Sequence, residues 1–390
     1  MSKTQASTLI ALAALVFWRS GPSFPSLFTK RDLPSAAFAY GSADIQCTQL
    51  EAPDFKFCED ATIWDVLDAK INTTHQYVLV SCDAGRKAWN TVLGPLRDPE
   101  PKGSLWLVSD GQPRRLALQG FPKNHTFHPL GLAIWPSDGK NPSNLFVVNH
   151  ARERTVIEQF TLAPAGEAMK HIRTIVSPYF ASPNSIALTS PHSFYVTNDH
   201  LMTRRLPIVG HVLPVIETFL ALPLGWVSHV SVDPNPDAAE SIIKSQPAAL
   251  FVPFANGVSV SPSGLQVAVA STSLSAVRFY SRNAETNALK YQRSVILPFL
   301  PDNLEYDSES KLVVAGHAHF PSLLQVKADP TSKATAPSWI SVIAPDYSVE
   351  TVFQSDGTVF SSSSTGLRSA EGILYATGLY SESGLLMCQP

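Results

Sequence analysis

From about residue 75 onward, short runs of β-branched and aromatic residues recur between turn formers: Tyr77 to Val80, Leu145 to Val148, Phe194 to Thr197, Gln266 to Ala270 and Lys311 to Val314. Runs of that length and makeup predict strands, and sustained helical periodicity is scarce. A second pattern recurs with them. A turn-type polar residue leads into an apolar stretch in His128-Pro129-Leu130-Gly131-Leu132, Ser182-Pro183-Asn184-Ser185-Ile186, Phe254-Ala255-Asn256-Gly257-Val258 and Pro301-Asp302-Asn303-Leu304-Glu305. Successive positions lie 53, 72 and 47 residues apart (131 to 184, 184 to 256, 256 to 303), unequal periods that fit propeller blades with variable loops. The expectation is an all-β chain in which residues 40–390 form a six-bladed β-propeller, preceded by a signal or anchor segment and linker at 1–39.

Two segments depart from this pattern. Met1-Ser2-Lys3 precedes an apolar run from Ala6 to Trp18, closed by Arg19. That is a basic leader with a core of signal-peptide length, shorter than the roughly 20 residues of a membrane-spanning helix. Entry into the secretory pathway is expected. Ala37-Phe38-Ala39 fits a cleavage pattern but lies well downstream, so secretion and retention by an uncleaved anchor both stay open. Leu206 to Val227 is also apolar, but Pro207, Pro214, Pro223 and Glu217 argue against a spanning helix. It reads as an insertion above one blade, serving as a hydrophobic lid, as a membrane or lipid contact alongside residues 6–18, or as core packing.

With 390 residues, 44% hydrophobic and 16% charged, the chain can bury a large core and is not of disordered composition. A net charge of −3 without a basic stripe excludes nucleic acid as a partner. Cys47, Cys58, Cys82 and Cys388 are an even count in an oxidising compartment, with three pairings open. Cys47 and Cys388 bracket the presumed ring. Asn72 and Asn124 head sequons for glycosylation.

In a propeller the innermost strands surround a channel, so equivalent positions in successive blades converge on its axis. The set here is rich in oxygen: Glu59 in Phe57-Cys58-Glu59-Asp60, Asn184, Asn256, Asp302 and Asn303. Hard oxygen donors without Cys or His suit calcium, which accepts six to eight oxygens in irregular geometry. Such an ion leaves places for water and a carbonyl oxygen. Singly, each residue is an ordinary turn former; the joint pattern carries the reading. Neither a Gly-x-Ser-x-Gly elbow nor a His-Glu-x-x-His zinc helix is present.

The order of Cys-Glu-Asp-Ala at 58–61, Val147-Val148-Asn149-His150, Phe194 to His200, Phe254-Ala255-Asn256-Gly257 with Ser261-Pro262, and Asp302-Asn303 resembles the serum paraoxonase/arylesterase family over about residues 45–390. The resemblance implies a six-bladed propeller with two calcium ions that hydrolyses lactones and aryl esters. It puts the catalytic-calcium ligands on Glu59, Asn184, Asn256, Asp302 and Asn303, and a structural ion on Asp60, the Leu132 carbonyl and position 185, where this chain has serine in place of an acid. It also implies a histidine pair for proton transfer. His150 matches the second member, but Leu130 stands where the first is expected. His128 or Asp302 can take over as base, or turnover is reduced; His317 and His319 follow near the channel mouth. The implied disulfide falls on Cys47 and Cys388, leaving Cys58 and Cys82 to pair with each other.

The function expected is therefore calcium-dependent hydrolysis of a small aryl ester or lactone. The alternatives are a propeller of the gluconolactonase or strictosidine-synthase kind, and a non-catalytic binding module whose calcium only stabilises the ring.

Overall fold

The computed structural model describes residue 14 and residues 21–38, 45–68, 70–97, 103–166, 168–238, 240–329, 331 and 333–389. The apolar run at 6–18 lies almost wholly outside them, as does Ala39 of the cleavage pattern. Six sheets of four or five strands form the ring. Their innermost strands are Cys58–Asp68, Pro129–Ile134, Pro183–Ser190, Ala255–Val260, Leu300–Tyr306 and Ser363–Arg368, and each neighbours the next around a closed circle. We number the blades one to six in that order.

The apolar runs of the sequence are second strands, and their composition follows from burial on two faces. Successive side chains of a strand point to opposite sides of its sheet. In Ser143–Asn149, Leu145 and Val147 pack toward blade one, while Phe146 and Val148 pack toward blade three. Val267 and Val269 likewise face blade three, with Ala268 and Ala270 facing blade five. A strand pressed between two neighbours has no solvent face, so it reads as continuous hydrophobicity rather than alternation. Six apolar clusters result, one between each pair of neighbouring blades.

The ring closes through its last blade. Strand Gln46–Leu50 pairs antiparallel with Leu385–Gln389, placing Cys47 opposite Cys388, and these two form a disulfide across the seam. Cys58 and Cys82 form a second disulfide between the first two strands of blade one.

Part of the region expected to be linker packs on the propeller. Ala37–Phe38 adds a strand to blade five, and Leu27 of the short helix Phe24–Phe28 is buried against Phe320 and Leu323. The insertion in blade three carries the helix Leu213–Phe219 between the strands Ser193–Asn198 and Gly225–Val232. Its Glu217 is buried and caps the amides of Leu201 and Met202, while Ile208 is 92% exposed. No helix among the described residues is long and apolar enough to cross a membrane.

Candidate active site

Every innermost strand breaks register near its start. In blades two to five, two residues oppose one on the partner strand: Leu130-Gly131, Asn184-Ser185, Asn256-Gly257 and Asp302-Asn303. Blades one and six insert a single residue, Glu59 and Ser364. The repeated phrases of the sequence are therefore β-bulges inside strands, rather than turns ahead of them. A bulge re-aims side chains that regular pleating would send into a neighbouring blade. Six bulges at one level turn polar groups toward one channel.

Two glycines set how tightly these bulges stack. A Cβ on Gly131 would stand 2.3 Å from the Asn184 carbonyl oxygen, and one on Gly257 2.7 Å from Asn303 Cα. Both positions admit only hydrogen because the next blade's backbone occupies that space.

The converging groups are buried: Glu59, Asn184, Asn256, Asp302 and Asn303 are all 6% exposed or less. Their amide nitrogens are tied to carboxylates. Asn303 Nδ2 donates to Glu59 Oε1 at 2.8 Å, Asn256 Nδ2 to Asp302 Oδ1 at 2.6 Å, and Asn184 Nδ2 to Asp199 Oδ2 at 3.2 Å. This fixes each amide so that its oxygen points the other way. Glu59 Oε2 and the Oδ1 atoms of Asn184, Asn256 and Asn303 have no hydrogen-bond partner among the described residues. Buried oxygens normally find a donor, and four without one call for a cation.

The charges agree. Burial, and then the carboxylates of Asp60 and Asp302, push Glu59 well above its usual range. Burial also raises Asp60 to about 7, against hydrogen bonds from Leu132, Thr365 and Ala61. Arg86 is the cation at this level, donating to the carbonyls of Phe57 and Pro129 at 2.9 and 2.8 Å. Crowded carboxylates with one fixed guanidinium are a poor arrangement unless a further positive charge shares the space.

The positions assigned to a second ion are filled differently. Asp60 accepts from the amides of Leu132 and Ala61 and from Thr365 Oγ1 at 2.9 to 3.0 Å. Ser185 Oγ accepts the amide of Val258 at 3.3 Å. Neither side chain has a buried oxygen left without a partner.

The histidines divide by role. His150 Nε2 donates to the Pro183 carbonyl at 2.8 Å while Nδ1 takes the hydroxyl of Thr91 at 2.7 Å. Burial lowers its pKa to about 4, so the ring is neutral and braces the strand that carries Asn184. His128 lines the cavity and holds Asp83 Oδ2 through Nδ1 at 2.8 Å. His317 also lines it, with Nε2 3.0 Å from Asp302 Oδ2. His319 is the N-cap of the helix Phe320–Ala328, its Nδ1 meeting Ser322. Asn72 and Asn124 are exposed.

Sequence reasoning missed several groups lining the cavity, among them Asp83, Arg86, Trp89 and Lys327. Arg86 and Trp89 sit in a connection, Asp83 ends the strand Thr73–Asp83 and Lys327 lies in the helix Phe320–Ala328, none of them at the repeated position of a blade. Leu93, Phe320, Leu323 and Leu379 give the cavity an apolar wall.

Residues 98–385 match the family model described as Arylesterase. Serum paraoxonase/lactonase 3 of Oryctolagus cuniculus is 27% identical over 271 residues, covering 68% of this chain and 71% of that one. Serum paraoxonase/arylesterase 2 of Bos taurus is 27% identical over 294 residues, with coverages of 73% and 77%. Among solved structures, a gluconolactonase from Xanthomonas campestris superposes with a TM-score of 0.52 at 14% identity, covering 92% of this chain and 95% of that one, a likeness of fold. A family model spanning most of the propeller, with the ring and its bulges in place, identifies this chain as a member of the arylesterase family.

Proposed function

We propose that this protein hydrolyses small aryl esters or lactones with one calcium ion held at the bulged level of the channel. The observation that carries the reading is the set of four unpartnered oxygens on Glu59, Asn184, Asn256 and Asn303, whose donor chemistry matches calcium. Asp302 completes the set, and Glu59 and Asp302 balance the charge. When bound, the ion polarises the substrate carbonyl and stabilises negative charge developing on its oxygen. The protein does the rest. Leu93, Phe320, Leu323 and Leu379 exclude water from the apolar part of the substrate, and Arg86 fixes the rim between blades one and two. His317, with Nε2 3.0 Å from Asp302 Oδ2, holds that carboxylate in place beside the other ligands.

A single ion is proposed, because the unpartnered oxygens gather at the first position, whereas Asp60 and Ser185 already accept hydrogen bonds. Two disulfides and exposed sequons support a secreted or membrane-anchored protein glycosylated at Asn72 and Asn124. The exposed Ile208, Val212, Val215 and Ile216 support contact with a lipid surface near the mouth.

The test is turnover of phenyl acetate and a panel of aliphatic lactones, with and without chelator, beside Asn256→Ala. Chelator and variant are each expected to abolish turnover. Chelator-insensitive hydrolysis refutes the reading. Absence of all hydrolysis with a chelator-sensitive melting temperature establishes the non-catalytic module instead.

A further inference from the structure

We infer that His128 and Asp83 form the proton-transfer pair of this site, with His128 the catalytic base and Asp83 its positioning residue. This rests on the calcium reading above and adds the group that moves the proton.

Leu130 occupies the blade-two bulge with a side chain that cannot accept a proton, and both ring nitrogens of His150 are already engaged. His128 enters the same cavity two residues earlier. Three contacts fix the residue, one through its backbone and two through its ring. The backbone amide donates to Asn149 Oδ1 at 2.8 Å, and the ring stacks on Trp89 with centroids 5.2 Å apart. The third restraint is Asp83, from the far end of strand Thr73–Asp83 in blade one, whose Oδ2 meets Nδ1 at 2.8 Å with both side chains only 2% exposed. Trp89 is fixed in turn, its Nε1 donating to the His150 carbonyl at 2.7 Å.

An ionised acceptor at Nδ1 selects the tautomer protonated there, and so places the basic lone pair on Nε2. Asp83 is kept ionised. Burial opposes this, but the His128 hydrogen bond, the Arg86 charge and the Gly85 amide together lower its pKa. His128 and Asp83 line the same cavity as Glu59, Asn184, Asn256 and Asp302, so the base and the oxygen cluster face one substrate. This is a base with its orienter, the arrangement that activates a nucleophile on unrelated folds.

The step balances with water as nucleophile. His128 Nε2 takes one proton of the water as its oxygen bonds to the carbonyl carbon. The carbon–oxygen bond to the leaving group then breaks, and the imidazolium returns that proton to the departing alkoxide. The acid product releases its own proton to solvent.

The experiment compares His128→Gln, His128→Ala, Asp83→Asn and Asp83→Glu with Asn256→Ala, using the full chain with calcium. For an alkyl lactone, His128→Gln is expected to lower kcat by about 10² to 10⁴-fold, the usual contribution of general acid–base catalysis, with KM little changed. The loss is smaller for phenyl acetate, because phenoxide departs without a proton. Imidazole added to His128→Ala restores part of the rate, and Asp83→Glu retains more than Asp83→Asn. Both His128 variants keep the chelator-sensitive melting temperature. A folded His128→Gln protein with the parental lactone kcat overturns the pair, and the calcium reading survives if chelator and Asn256→Ala still abolish turnover. If His128→Gln does not fold, Asp83→Asn decides: a parental kcat overturns the pair, and a loss graded by leaving group supports it. A parent inert toward the whole panel overturns both.

Discussion

Asn303 donates its amide proton to Oε1 of Glu59 at 2.8 Å, joining the fifth blade to the first across the channel. That bond leaves Glu59 Oε2 and Asn303 Oδ1 as buried acceptors without donors. Glu59 is therefore the residue whose charge is tolerable only when a cation is near. Glu59→Gln is expected to have opposite effects in two conditions. Without calcium the variant is the more stable form, since Asp60 and Asp302 no longer repel a third carboxylate. At a calcium concentration 100 times Kd the parent gains about 2.7 kcal/mol, and the variant gains none. Melting curves with calcium and with chelator check both signs, and an unchanged calcium response in Glu59→Gln would falsify the ligand assignment.

Gly257 tests the spacing of the bulges. A Cβ there meets only backbone atoms of the next blade, Asn303 Cα, the Asp302 oxygen and the Leu304 nitrogen, at 2.7 to 2.9 Å. Gly257→Ala must push blades four and five apart just where Asn256 Nδ2 donates to Asp302 Oδ1. Calcium affinity is expected to fall about 10- to 100-fold, the range seen for changes behind metal ligands, in a protein that still folds. Calorimetric titration measures this, and a parental Kd removes the close-approach argument.

The two disulfides close loops of very different length, 341 residues for Cys47–Cys388 and 24 for Cys58–Cys82. On the loop-entropy model the first contributes about 6 kcal/mol and the second about 3.5 kcal/mol. Replacing Cys47 and Cys388 by serine should therefore cost more than replacing Cys58 and Cys82. Chemical denaturation of the two double variants ranks them. The reverse ranking would mean that native-state packing of the short bridge outweighs loop closure.

A buried carboxylate far from the channel sets an acid limit. Glu158 accepts from His125, His171, Asn149 and Thr174 at 2.7 to 2.9 Å. Burial alone would raise its pKa, but these donors lower it to about 2 from the ordinary 4.5. The folded value lies below the unfolded one, so this stability is complete above pH 4.5 and is lost as pH falls through about 2. The shift corresponds to about 3 kcal/mol. In Glu158→Gln the loss of stability between pH 4.5 and 2 should flatten in urea titrations. Parallel slopes for parent and variant would assign acid sensitivity elsewhere.

The ring and much of the site were legible because both repeat along the chain. Asn184, Asn256 and Asp302-Asn303 stood out as one phrase in successive blades, and their bulges are that phrase in three dimensions. Glu59 was legible by its motif. Asp83 and Arg86 were not, because the turn Cys82-Asp83-Ala84-Gly85-Arg86 looks like any polar connection until His128, 45 residues on, folds against it. The helix Phe320–Ala328 was hidden for a related reason: its apolar residues serve both the cavity and the helix Phe24–Phe28, so no single face carries a period. Long-range pairing makes such sites, and local pattern cannot report it.

The seam between Gln46–Leu50 and Leu385–Gln389 bears on biogenesis. The strand that completes the sixth blade is among the earliest made, and its partner among the latest, so a nascent chain holds an unpaired edge throughout translation. Blades can stack as they emerge, but the circle cannot lock until Leu385–Gln389 has been made. A chain stopped short of Cys388 would display an adhesive edge and an unmatched thiol together, a combination that favours association with other unfinished chains.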